Sequence, residues 1–74
     1  MTTLRAGDPI DITCEGRTVE GEIELLSENQ DAMVIAFEAI LGGYAGRMPV
    51  LRLDGVYRDI YGKVELKITP RAVP

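Results

Sequence analysis

Ile10-Asp11-Ile12-Thr13-Cys14-Glu15-Gly16-Arg17-Thr18-Val19-Glu20-Gly21-Glu22-Ile23-Glu24-Leu25 decides the fold. Apolar and polar residues alternate with a period of two on both sides of Glu15-Gly16. Ile10, Ile12 and Cys14 share one face, and Asp11 and Thr13 the other. Beyond the turn, Val19, Gly21, Ile23 and Leu25 alternate with Glu20, Glu22 and Glu24. This period marks strands buried on one side and wet on the other. Glu15-Gly16-Arg17-Thr18 predicts a tight hairpin, because Gly16 takes positive φ without steric penalty. The second strand is read from about residue 18 to 26, long enough to bend across a small barrel. Gly21 is the natural bend or bulge within it.

The same punctuation continues downstream. Ser27-Glu28-Asn29-Gln30-Asp31 is turn chemistry. Met33-Val34-Ile35-Ala36-Phe37 is a continuous apolar run with a β-branched centre, which predicts a central strand covered on both faces. A helix over Asp31–Leu41, capped by Asp31, is the competing reading. The strand is favoured, followed by a short helical turn or irregular corner around Glu38–Leu41. Residues 41–47 read as a glycine-rich loop. Met48, Val50, Leu51 and Leu53 make a strand with Pro49 near its start. Asp54-Gly55 suits a type I′ turn. Val56–Ile60 is the next strand, Tyr61-Gly62-Lys63 turns again, and Val64, Leu66 and Ile68 form the last strand, ended by Pro70. Thr69–Pro74 reads as a loosely held tail.

Six short strands joined by tight turns leave no room for crossover helices. The fold class is therefore all-β, a five- or six-stranded antiparallel barrel, whose closure removes exposed edges. It forms a single domain over residues 1–74, with an ordered core of about 6–69. The expected core is Ile10, Ile12, Val19, Ile23, Leu25, Val34, Ala36, Met48, Val50, Leu53, Ile60, Val64, Leu66 and Ile68.

Composition excludes much chemistry. At 74 residues and 8.1 kDa the chain can bury only a modest core. It has no histidine, hence no histidine base, metal ligand or Cys-His pair. Its one cysteine, Cys14, makes neither an intrachain disulfide nor a metal knuckle, and reads as a buried structural thiol. No nucleophile or acid–base constellation stands out, so no enzyme and no cofactor are implied. The first residues have no apolar signal-peptide core. The longest apolar run, Ala32–Phe37, falls far short of the roughly 20 residues of a membrane span. The expectation is a cytoplasmic protein without a membrane partner.

The net charge of −4 is unevenly divided. Residues 1–38 carry −7 and residues 39–74 carry +3, a division that suggests an acidic and a basic face unless interleaved strands cancel it.

Ala6-Gly7-Asp8-Pro9-Ile10-Asp11-Ile12, followed by Gly16, Gly21-Glu22-Ile23 and an apolar third strand, resembles the first half of SH3-like and Sm-like small barrels. Residues 41–50 and Tyr57-Arg58-Asp59-Ile60 are similar to a group of small uncharacterised bacterial proteins. PilZ domains need a paired-arginine opening and an Asp/Asn-x-Ser-x-x-Gly strand. Arg5 alone and Leu26-Ser27-Glu28-Asn29-Gln30 depart from both. Asp31 and Lys63 resemble the acid and late base of Sm-like RNA binders, without the stacking aromatic. Tyr44, Tyr57 and Tyr61 offer a small version of the aromatic cluster of SH3 peptide grooves.

The candidate ligand-binding residues are Gly42, Gly43, Tyr44, Gly46 and Arg47, with Arg58. Backbone N–H groups of a glycine loop can form an anion nest, with Arg47 as clamp and Tyr44 as stacking surface. The ordinary alternative is a connection across the open end of a barrel. Glu20, Glu22 and Glu24, about 7 Å apart along one strand face, read as a solvated face. Arg58 and Asp59 suit cross-strand pairing. Tyr57 and Tyr61, with Arg52 and Arg58, can edge a groove or serve as barrel-margin tyrosines. The expected function is a non-catalytic binding or assembly module whose partner is protein, including another copy. RNA, nucleotide or anion binding through residues 42–47 and nearby bases is the alternative, disfavoured by the net charge.

Overall fold

The computed structural model describes residues 3–71. Six strands follow one another around a closed barrel: β1 (Pro9–Cys14), β2 (Arg17–Leu26), β3 (Ala32–Leu41), β4 (Tyr44–Leu53), β5 (Val56–Asp59) and β6 (Glu65–Pro70). Each pairs antiparallel with its neighbours, and β6 returns to β1 through Ile12↔Ile68 and Cys14↔Leu66. The described residues contain no helix, so none is long and apolar enough to cross a membrane. The architecture is consistent with SH3-like and Sm-like barrels.

Three connections are two-residue hairpins whose central residues both have positive φ: Glu15-Gly16, Gly42-Gly43 and Asp54-Gly55. That geometry matches the right-handed strand twist. It corrects the expected loop over residues 41–47. Gly42 and Gly43, at φ 54° and 84°, make the whole turn, and Tyr44 already opens β4.

The buried core is Ile10, Ile12, Cys14, Ile23, Met33, Ile35, Phe37, Leu41, Met48, Val50 and Leu66. Val19, Val64 and Ile68 pack partly against it. The expected membership is wrong in β3 and in β2, and both errors follow from register. In β3, Ile35 pairs with Ile23 and Met48 in an inward row, while Val34 pairs with Leu25 and Pro49 in an outward one. A closed single-layer sheet has only one inner face, so Met33, Ile35 and Phe37 point in, and Val34 and Ala36 lie half-buried outside. In β2, the pairing jumps from Ile23↔Ile35 to Leu25↔Val34, leaving Glu24 as the extra residue of a bulge. A bulge reverses the facing of the residues beyond it. Leu25 is thereby 59% exposed instead of buried.

Gly21 is not that bulge. It pairs with Phe37 and leaves space where the barrel wall is tightest. A Cβ there would collide with the Ala36 carbonyl oxygen and stand 2.7 Å from Ile12 Cδ1.

β3 stays extended to Leu41, with an irregularity between Ala36 and Ile40 in place of a helical corner. Satisfying both ladders of a central strand outweighs the helix that its alanines allow. Two further residues expected in the core are outside it. β5 ends at Asp59, so Ile60 is an exposed turn residue, and Leu53 points outward, opposite Val56, also exposed. β6 continues through Thr69 and Pro70, and the Arg71 amide donates to the Pro9 carbonyl at 3.1 Å. Of the expected tail, residues 72–74 lie outside the described residues.

Candidate binding face

The outer rows of the barrel differ sharply in chemistry. Glu22, Ala36 and Arg47 form one outward row across β2, β3 and β4. Leu25, Val34 and Pro49 form the next, reached from β5 by the Ile60 amide, which donates to the Pro49 carbonyl at 3.2 Å. Ala32, Leu51 and Arg58 form the third, and Leu53 with Val56 the last. The lower three rows make an apolar outer face with two adjoining concavities of about 420 and 260 Å³. Leu51 and Ile60 line both and join them. Leu53 is 64% exposed and Tyr61 70%. Scattered apolar side chains on a surface are normal, but contiguous ones mark contact sites.

Asp59 forms the floor of the smaller concavity. It is the one buried charged side chain among the described residues, 2% exposed. Its carboxylate accepts three hydrogen bonds: from the Lys63 amide at 2.6 Å, the Val64 amide at 3.0 Å and the Tyr44 hydroxyl at 2.7 Å. The Tyr44 hydrogen bond, followed by that of the Val64 amide, holds the Asp59 pKa below the usual carboxylate value. The same hydrogen bond, then burial, pushes Tyr44 up to about 12. Asp59 therefore locks the Asp59–Val64 connection and fastens it to β4. It is a structural anion, its carboxylate already taken up by donors of the barrel itself.

The residues singled out in the sequence are dispersed by this architecture. Gly42 and Gly43 form a hairpin, and Tyr44 turns its hydroxyl to Asp59. Gly46 and Arg47 lie in β4, and Arg47 is ion-paired with Glu24. Arg58 reaches Glu65 at 3.5 Å, directly across β5 and β6. Arg71 binds Asp11 at 3.3 Å and also Glu20. Arg47 and Arg71, bases of the second half, thus pair with the first-half acids Glu24, Asp11 and Glu20. Tyr57 and Tyr61 do not share a groove. Tyr57 lies at the barrel mouth with Arg52, whose guanidinium is 6.0 Å from the ring centre, while Tyr61 lies on the apolar face beneath Lys63 at 5.9 Å.

Beside Gly21, Ala36 and Gly46 an open cleft of about 710 Å³ is flanked by Glu20, Glu22 and Glu38. Among the described residues no three acidic or thiol groups converge closely enough to hold a metal ion. Cys14 faces the core, and burial, with Glu15 and Asp59 adding to it, raises its thiol pKa, which makes it a poor nucleophile.

Sequence reasoning missed the apolar face, although a signal existed. Leu25-Leu26 and Val50-Leu51 are adjacent apolar pairs inside strands with one inner face, so one member of each must point outward. Asp59-Ile60-Tyr61-Gly62 likewise carries the Asp and Gly of a β-turn's first and last positions, closed by the Gly62 amide donating to the Asp59 carbonyl at 2.8 Å.

The chain matches no protein-family model, no curated protein and no solved structure.

Proposed function

We propose that this chain is a non-catalytic binding module that takes a protein partner on the Leu25–Val34–Leu51–Leu53–Ile60 face. On this reading it is a bacterial, cytoplasmic module of the SH3-like or Sm-like kind. One observation carries the reading: a contiguous set of large apolar side chains stands outside a barrel that has its own buried core. Leaving such groups in water forgoes about 25 cal/mol for each Å² that a partner would cover. Nucleic acid is the weaker reading. Arg47, Arg58 and Arg71 are each engaged by a carboxylate, and phosphates would have to displace those acids.

The test uses a photocrosslinking residue at position 53 and another at position 22 of the full chain, expressed in cells. Discrete protein adducts from position 53 and none from position 22 are expected. Equal labelling from both positions, or adducts with RNA only, would defeat the reading.

A further inference from the structure

The partner can be specified further, and its identity rests on the binding-module reading. Charged side chains outside the ion pairs rim the apolar face: Glu28 and Asp31 at one corner, Asp54 in the turn beyond the Leu53–Val56 row, and Lys63 at the corner opposite Glu28 and Asp31. Glu28 and Asp31 lie in the turn between β2 and β3, adjoining Ala32, whose register partner is Leu51. Lys63 lies in the turn after β5, over the ring of Tyr61, with Arg58 nearby on the same cavity wall. Among the described residues neither Glu28, Asp31 nor Lys63 takes part in an ion pair.

An apolar strip with one sign of charge at one corner and the other sign at the opposite corner is complementary to itself. A two-fold axis in the plane of the face, perpendicular to the line joining the corners, sets each acidic turn against the partner's basic turn. It also sets Leu51 and Ile60, near the middle of the strip, against their symmetry mates. An isologous contact requires this kind of self-match. A single-signed rim would select a foreign partner of opposite charge and repel a copy. A standard interface takes about 800 Å² from each partner, a minor share of the molecular surface of 4984 Å².

We infer that the occupant of the apolar face is a second copy of this chain, docked by a two-fold contact between the Glu28–Asp31 turn of one protomer and the Lys63 turn of the other. The dimer is modest, with Kd of about 1–100 µM, because the strip is short and its rim exposed.

Sedimentation velocity of the full chain, from low micromolar to about 1 mM, tests this. The wild type should shift from monomer to dimer. Leu51→Glu and Ile60→Glu should stay monomeric throughout, with far-ultraviolet circular dichroism verifying the fold. Asp31→Lys and Lys63→Glu, both surface changes that leave the core untouched, should each weaken the dimer about tenfold. The double reversal should return to within about threefold of wild type, because the swapped charges meet again across the axis. A wild type that is monomeric at every concentration overturns the inference. So does a dimer indifferent to Leu51→Glu and Ile60→Glu, or a double reversal as weak as the sum of its parts. Failure here with persistent foreign-protein adducts from position 53 leaves the binding module standing and removes only the second copy. Loss of both removes the module.

Discussion

The wall of this barrel has two halves built from the same three strands. Around Ala36 the outer side chains are alanine and the acids Glu20, Glu22 and Glu38, with Arg47 and Arg71 ion-paired at the margin. A few residues further along β2, β3 and β4 the outer side chains are Leu25, Val34, Pro49 and Leu51. Strand, sheet and curvature are shared, so the fold alone demands neither composition. The charged half demonstrates that polar side chains satisfy this backbone on its outer face. The leucines of the other half are therefore not required by the sheet itself, and on the proposed reading they serve contact with another protein surface.

The difference can be broken most violently in the charged half. Gly21→Val places atoms where the Ala36 carbonyl and Ile12 already stand. Overpacking of this kind costs about 1–3 kcal/mol or more, and circular dichroism should register a Tm lower by roughly 10 °C or more. Next comes the floor of the apolar half. Asp59→Ala strands the Tyr44 hydroxyl and two backbone amides without their acceptor. A Tm drop of roughly 10 °C is expected. Tyr44→Phe, which removes one donor and leaves the amides engaged, should lower Tm by less.

Titration sharpens the same point. The Asp59 carboxyl is held below its ordinary pKa in the folded chain. Its stabilising contribution is complete above the unfolded value of about 3.9 and is lost as pH falls through the lower folded value. Tyr44 has the opposite sign. Its contribution is complete below about 10 and disappears as pH climbs toward about 12. Urea unfolding across pH should show both limbs. Asp59→Asn should flatten the acid one, and Tyr44→Phe the alkaline one.

Smaller effects separate the two surfaces. Arg47→Ala removes a largely exposed ion pair with Glu24, worth about 0.2–1 kcal/mol and fading with added salt. Leu53→Ser on the apolar half should change unfolding free energy by no more than about 0.5 kcal/mol. Should it destabilise more than Arg47→Ala does, the apolar face would be serving the barrel and not a partner.

Much of the fold was legible because period-two alternation and glycine turns are local signals. Ile10, Ile12, Ile23, Met48 and Val50 follow from them directly, as do the Glu15-Gly16 and Asp54-Gly55 hairpins. The failures were set by distant pairing. Nothing near Leu25 announces that Glu24 will be squeezed out by the ladder to β3. In Met33-Val34-Ile35-Ala36-Phe37 every residue is apolar, so facing is fixed only by the register with β2 and β4. The candidate site suffered for a related reason. Gly42-Gly43-Tyr44-Ala45-Gly46-Arg47 carries enough glycine for a loop, yet two glycines complete a hairpin and the rest join a ladder. The partner of Tyr44, Asp59, is fifteen positions away, beyond the reach of local pattern.

The strand order around the barrel is also the order along the chain. Five of the six seams therefore zip between neighbours that a short connection already holds together. Only the meeting of Ile10–Cys14 with Leu66–Pro70 must wait for the far ends to find each other. Closing that one long circuit bears the largest entropy of encounter, which grows slowly with loop length. A change that weakens β1 or β6 is therefore expected to slow refolding in stopped-flow measurements more than an equal change in β3 or β4.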